Sequence, residues 1–242
     1  MISATFHKYI LNFKIPSGTS RGILRSKETW FLMLKRDGKV GYGECALFRG
    51  LSIDDRPDYV EKLQWICNNI NLGLDDLLSK TVEFPSIQIG LEQAFLSLNS
   101  SSSFELFPTK FTKSTCGIQI NGLIWMGDKQ FMKNQIKQKI EEGFRCIKMK
   151  IGAIDFKTEL SILSAIRKEY SSNDIELRVD ANGAFKPSEA IDKLNRLSQY
   201  DIHSIEQPIQ QHQMQEMASI CETTPIPIAL DEELIGIFDS TL

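Results

Sequence analysis

The chain has 242 residues, 42% hydrophobic and 24% charged, enough to bury a full core as one large domain or two smaller ones. Its net charge of −3, with no Lys/Arg cluster, excludes a nucleic-acid footprint, and no stretch approaches the roughly 20 apolar residues of a membrane span. Five scattered cysteines without a C-x-x-C pair argue against a disulfide framework, and three distant histidines without H-E-x-x-H spacing argue against a zincin-type site.

Taken in chain order, Ile2–Phe13, Glu28–Arg36 and Lys39–Cys45 read as strands, with Asp37-Gly38 as a hairpin signal between the last two. The first strand alternates apolar and polar residues and does not form the apolar core of a signal peptide, so a cytoplasmic location is expected. Two helices follow: 57–69, with Val60, Leu63 and Cys67 along one stripe, and 86–98, with Ile89, Ala94 and Leu98. Ser100–Ser103 is a polar break before the irregular FPTKFTKST. This first part, 1–114, is expected to form an α+β domain.

From Thr115 the pattern alternates strand and helix. Candidate strands are Gly117–Asn121, Arg145–Ile151, Ile175–Asp180, His203–Glu206 and Ile226–Asp231. Helices are expected over 156–170 (Leu160, Leu163, Ile166), over 187–198, opened by Pro187, and over 211–221 (Met214, Met217, Cys221). Repeated β-α units of this length imply parallel strands. A doubly wound open sheet is one form; a TIM-type barrel over 115–242 is the other.

Three acids favour the barrel. Asp180, Glu206 and Asp231 each close a short apolar run, in RVDANG, SIEQP and IALDEE, and they stand 26 and 25 positions apart. A single strand-end acid is usually a helix cap or a solvated loop residue. Three at matched spacing are what successive barrel strands deliver to one rim, where barrel active sites lie. Three carboxylates there suit a hard divalent cation, Mg²⁺ or in its place Mn²⁺. Gln207, Glu232 and Glu233 adjoin these acids and leave the choice of ligand open; Glu206 and Asp231 are preferred.

One unit earlier, Lys148 and Lys150 in KMKIG share a strand face by period two. Lysines on an edge strand merely keep charge in water, but this strand lies inside the series. Two inward amines are expected to repel, lowering at least one pKa towards that of a general base. A metal cage facing such a pair is suited to removing a proton next to a carboxylate.

K-M-K, D-A-N, I-E-Q-P and L-D-E-E, in this order, resemble the enolase superfamily, in particular its muconate-cycloisomerase-like branch. The resemblance implies an α+β capping domain and a (β/α)₇β barrel, with Mg²⁺ on Asp180, Glu206 and Asp231 stabilising an enediolate. It implies Lys150 as the acid/base and Lys148 as its partner. Within the branch, IPSGTSRGILRSKETWFLMLK and GYGECALFRGLSIDD resemble the o-succinylbenzoate synthase family. That implies a dehydratase acting on a small-molecule carboxylate in menaquinone biosynthesis by syn elimination, with residues 17–22 as a loop over the substrate. Ser20 and Arg21 are then substrate-binding candidates, Arg21 toward the succinyl carboxylate. Dipeptide epimerases, N-acylamino acid racemases and non-catalytic binding relatives share the same parts.

The family also has a lysine on a sixth barrel strand, which would fall past Leu242. Five strands cannot close an eight-strand barrel. The sequence is therefore expected to be a fragment, truncated after the fifth strand, of a chain longer by roughly 90–100 residues.

Overall fold

A computed structural model describes residues 1–19, 22–125 and 127–237. The chain resolves into two compact units, Met1–Ile118 and Gln119–Leu242. In the first, β1 (Ser3–Thr19), β2 (Gly22–Arg36) and β3 (Lys39–Cys45) form an antiparallel sheet in that order. The β2–β3 turn takes positive φ at both Asp37 (51°) and Gly38 (78°), the twist a two-residue hairpin needs. The first two strands run much further than the sequence suggests, so the ends of the loop expected at 17–22, Ser17–Thr19 and Gly22, belong to β1 and β2. Ser20 and Arg21 lie outside the described residues.

Three helices follow: α1 (Tyr59–Asn68), α2 (Leu74–Ser79) and α3 (Pro85–Asn99). Leu63, Ala94 and Leu98 of the expected stripes are buried, and the other positions shift. Tyr59, Leu63 and Ile66 point inward on α1 while Val60 is exposed, and Ile87, Leu91, Ala94 and Leu98 do so on α3 while Ile89 is exposed. On α3, Ile87 and Leu91 face inward in place of Ile89 because the helix lies directly on the backbone of β3. A Cβ on Gly43 would overlap the carbonyl of Gly90, so the core is set by residues flanking that close approach.

In the second unit β4 (Gly122–Ile124), β5 (Cys146–Lys150), β6 (Glu176–Asp180), β7 (Ile202–Glu206) and β8 (Ile228–Ala229) form one parallel sheet in sequential order. A sequential order has no switch point and so excludes the doubly wound alternative. The intervening helices are α4 (Lys129–Glu141), α5 (Phe156–Glu169), α6 (Pro187–Leu197) and α7 (Met214–Thr223). Ile147, Met149, Leu177, Val179 and Ile205 join residues of all four helices in one core.

Several expectations shift here. The strand placed at Gly117–Asn121 begins only at Gly122, and Ile118 and Ile120 are exposed. α4 has no counterpart among the expected helices; it is capped by Asp128, which accepts from the Phe131 N–H at 2.9 Å, and it buries Met132 and Ile136. On α7 the buried residues are Met217 and Ile220, with Met214 and Cys221 exposed. All five cysteines are free, and among the described residues no helix is long and apolar enough to cross a membrane.

Candidate active site

Alternation along the parallel strands sends Ile147 and Met149 into the helix-covered core and Cys146, Lys148 and Lys150 to the other face. Strand register then aligns the chemistry. Lys150 pairs with Asp180, Asp180 with Glu206, and Glu206 with Ala229, so three ionisable groups occupy one row across β5, β6 and β7.

Asp180 is the centre of the row and its side chain is fully buried. Its Oδ2 receives Lys150 Nζ at 2.9 Å and Lys148 Nζ at 3.1 Å, and its Oδ1 receives the backbone N–H of Asn182 at 3.0 Å. Lys148 also donates to Glu206 Oε2, joining the two carboxylates through one ammonium. Lys150 donates to Asn182 Oδ1 at 2.7 Å, and Asn182 Nδ2 donates to Glu232 Oε1 at 3.1 Å. Asn182 can turn back toward the row because it sits in the left-handed region, at φ 44°.

For Lys148 the shift runs opposite to the expected lowering. Burial opposes the charge on Lys148, but Glu206 and Asp180 outweigh it and raise its pKa above the usual lysine value. The carboxylates dominate over lysine–lysine repulsion because they lie within hydrogen-bond distance. For Asp180, burial works against ionisation, yet Lys150 and Lys148 hold its carboxyl below the ordinary aspartate value. Glu206 moves the other way, raised by burial and by the Asp180 charge beside it.

Asp231 does not join this cluster. Among the described residues, no three His, Cys, Asp or Glu side chains are gathered closely enough to hold a metal ion. The strand expected to run to Asp231 stops at Ala229, and a short 3₁₀ turn covers Glu232–Leu234. Gln207 causes the bend: fully buried, with φ 39°, it accepts from the backbone N–H groups of both Asp231 and Glu233 on one oxygen, each at 3.2 Å. Its amide nitrogen donates to Ile209 O and to Glu233 Oε2. This separates the acids near the rim by role. Glu233 is tied to Gln207 and to the His212 N–H, and Glu232 to Asn182.

The donor chemistry nonetheless fits a hard divalent cation. A fully buried carboxylate on which two ammonium groups converge is a site that requires positive charge, and its row neighbour Glu206 supplies oxygen of the same kind. Glu232 Oε2 is buried with no hydrogen-bond partner, a further acceptor near the row. The sheet carries a separate cavity of about 700 Å³ at the N-terminal ends of the strands, lined by Asn121, Arg145, Cys146, Glu176 and Arg178. It reaches up to Arg178, level with Lys148, and holds none of the row.

Sequence reading passed over one buried acid next to this site. Glu159 on α5 is 1% exposed, and its Oε1 accepts from the Gly152 N–H at 2.7 Å, two residues after Lys150. Its position was a usable signal: an acid three residues past Phe156 and four before Leu163 falls on the apolar stripe of its own helix.

Comparison with known proteins bears on the whole chain. Residues 132–241 match the family described as enolase C-terminal domain-like. An o-succinylbenzoate synthase from Desulfotalea psychrophila is 42% identical over 96% of this chain and 72% of its own length. The crystal structure of MenC from the same organism superposes with a TM-score of 0.84 at 37% identity, covering 98% of this chain and 73% of that one. At 23% identity, o-succinylbenzoate synthase from Thermosynechococcus elongatus, a structure with Mg in its active site, matches with a TM-score of 0.72 over 95% of this chain and 68% of that one. These matches place the sequential parallel sheet, five-stranded among the described residues, in the (β/α)-barrel class, and the antiparallel unit in the capping-domain class.

Proposed function

The chain belongs to the o-succinylbenzoate synthase family of the enolase superfamily, and on that premise we propose that it serves as a Mg²⁺-dependent dehydratase. Its substrate is a 2-succinyl-6-hydroxycyclohexadiene carboxylate and its product o-succinylbenzoate, a step of menaquinone biosynthesis. The observation that carries this reading is the row Lys150–Asp180–Glu206, which sets an amine beside paired carboxylates on one sheet face.

Asp180, Glu206 and Asp231 are the residues that would hold the ion, which supplies positive charge at the substrate carboxylate and thereby acidifies the neighbouring C–H. Lys150 Nζ, as the free amine, takes the α-proton, and the C–H electron pair moves into the carboxylate system. The same nitrogen, now an ammonium, returns that proton to the departing hydroxyl, which leaves as water on the same face. Asn182 orients Lys150 by accepting its N–H. Lys148 keeps a positive charge against Asp180 and Glu206, which limits the repulsion between two carboxylates in one row. Placement of Asp231 on the ion requires its side chain to turn toward the row from beyond the end of β8. Arg21 is the proposed contact for the succinyl carboxylate, and Ser20 a further proposed substrate contact.

The test is turnover of that substrate by the purified protein with Mg²⁺, followed by a chelator. Dehydration that stops on chelation and returns with Mg²⁺ or Mn²⁺ is the expected result. Epimerisation of dipeptides without dehydration would replace this reading with the epimerase alternative, and dehydration indifferent to the chelator would remove the ion from it.

A further inference from the structure

We propose that Glu159 is a positioning residue for Lys150, acting through the turn that follows the lysine; the proposal rests on the role just given to Lys150. The turn Ile151–Asp155 joins β5 to α5 and is held on three sides. Ile151 donates its N–H to the Asp180 carbonyl at 2.8 Å. The next N–H, that of Gly152, goes to Glu159 Oε1 at 2.7 Å. On its remaining side Gly152, at φ 92°, lies so close to the loop after β6 that a Cβ there would come within 2.3 Å of Ala184 Cβ. Two consecutive amides therefore fix the backbone immediately after Lys150, one to the strand that carries Asp180 and one to a carboxylate inside α5.

The choice of residue needs explaining, because a buried acid is costly where an apolar side chain would pack. Burial raises the Glu159 carboxyl to about 7, against the backbone N–H groups of Gly152, Ile154 and Ala153 and the Lys193 ammonium, all of which favour its anion. Lys193 is itself engaged by Glu189 at 2.6 Å and lies over the Phe185 ring. The one thing Glu159 provides that leucine could not is an acceptor for the turn. Sub-ångström placement of an amine relative to a C–H bond governs proton-transfer rate far more than it governs binding. Loss of the acceptor is therefore expected to appear in kcat.

The experiment measures amide hydrogen exchange at Gly152 and steady-state dehydration at pH 8 in the full-length protein, as wild type, Glu159→Ala and Glu159→Gln. In Glu159→Ala the Gly152 amide should exchange faster and kcat should fall about tenfold with KM within about twofold. Glu159→Gln retains an acceptor oxygen and should restore both. Glu159→Asp, one methylene shorter, keeps the test available if the alanine variant does not fold, and it should lower kcat in the same sense. Wild-type protection of Gly152 in Glu159→Ala overturns the proposal, as does lost protection with unchanged kcat. A wild-type protein that dehydrates nothing, with Gly152 still deprotected in Glu159→Ala, contradicts the functional reading and leaves the clamp on the turn standing.

Discussion

The two faces of the parallel sheet come from the same five strands and do opposite work. On the helix side, Ile147, Met149, Leu177, Val179 and Ile205 are at most 1% exposed and form the centre of the core. On the other side, at the positions between them, stand Lys148, Lys150, Arg178, Asp180, Ser204 and Glu206. Period-two alternation thus separates stability from chemistry by one residue step. The difference teaches that a substitution on one face can be read almost purely as a folding effect and on the other almost purely as a functional one.

The largest break in that comparison is Lys150→Ala. Removing the proton acceptor should lower turnover by about 10²- to 10⁴-fold, while the thermal melt stays near that of wild type because no core side chain is lost; kinetics and calorimetry on the same preparation check this. Substantial residual turnover would take the acid/base role from Lys150. Its mirror image is Leu177→Ala, on β6 but facing the helices. That change should cost about 2–5 kcal/mol in denaturant unfolding, with kcat per folded molecule retained.

Glu159 sharpens the contrast, since it is a charged group placed on the apolar side. Its carboxyl is raised from 4.5 to about 7 by burial. The folded state therefore binds more protons than the unfolded one between those two values, and stability from this group is present at low pH and lost as pH rises through that window. Relative to Glu159→Gln, wild type should lose on the order of 3 kcal/mol between pH 4.5 and pH 8, an upper bound. Parallel pH-stability curves for the two proteins would contradict the raised pKa. A smaller effect is expected from Gln207→Ala. It leaves the N–H groups of Asp231 and Glu233 without their acceptor and should cost about 1–3 kcal/mol in urea unfolding.

How much of this was legible in the sequence follows the same division. The row of Lys150, Asp180 and Glu206 could be read because strand period and β-α repeat length depend only on local pattern. The stop of β8 at Ala229 could not, because a side chain just past the end of β7, Gln207, bends the chain before Asp231. Thirteen residues of α4 carry few apolar positions, and the cap at Asp128 was the better signal. On α3 the stripe through Ala94 and Leu98 is legible, but Ile89 falls outside it, because glycine-to-glycine contact with β3 sets the rotation of the helix and leaves no periodic trace. Glu159 was visible only as an acid in an apolar register.

The central claim is that Asp180, Glu206 and Asp231 converge on one divalent ion across from Lys150. Anomalous scattering from a crystal of the full-length protein grown with Mn²⁺ tests it most directly. The account predicts a single strong peak within bonding distance of all three carboxylates, with Lys148 withdrawn from at least one of them. A peak elsewhere, or one that leaves Asp231 out, would contradict it.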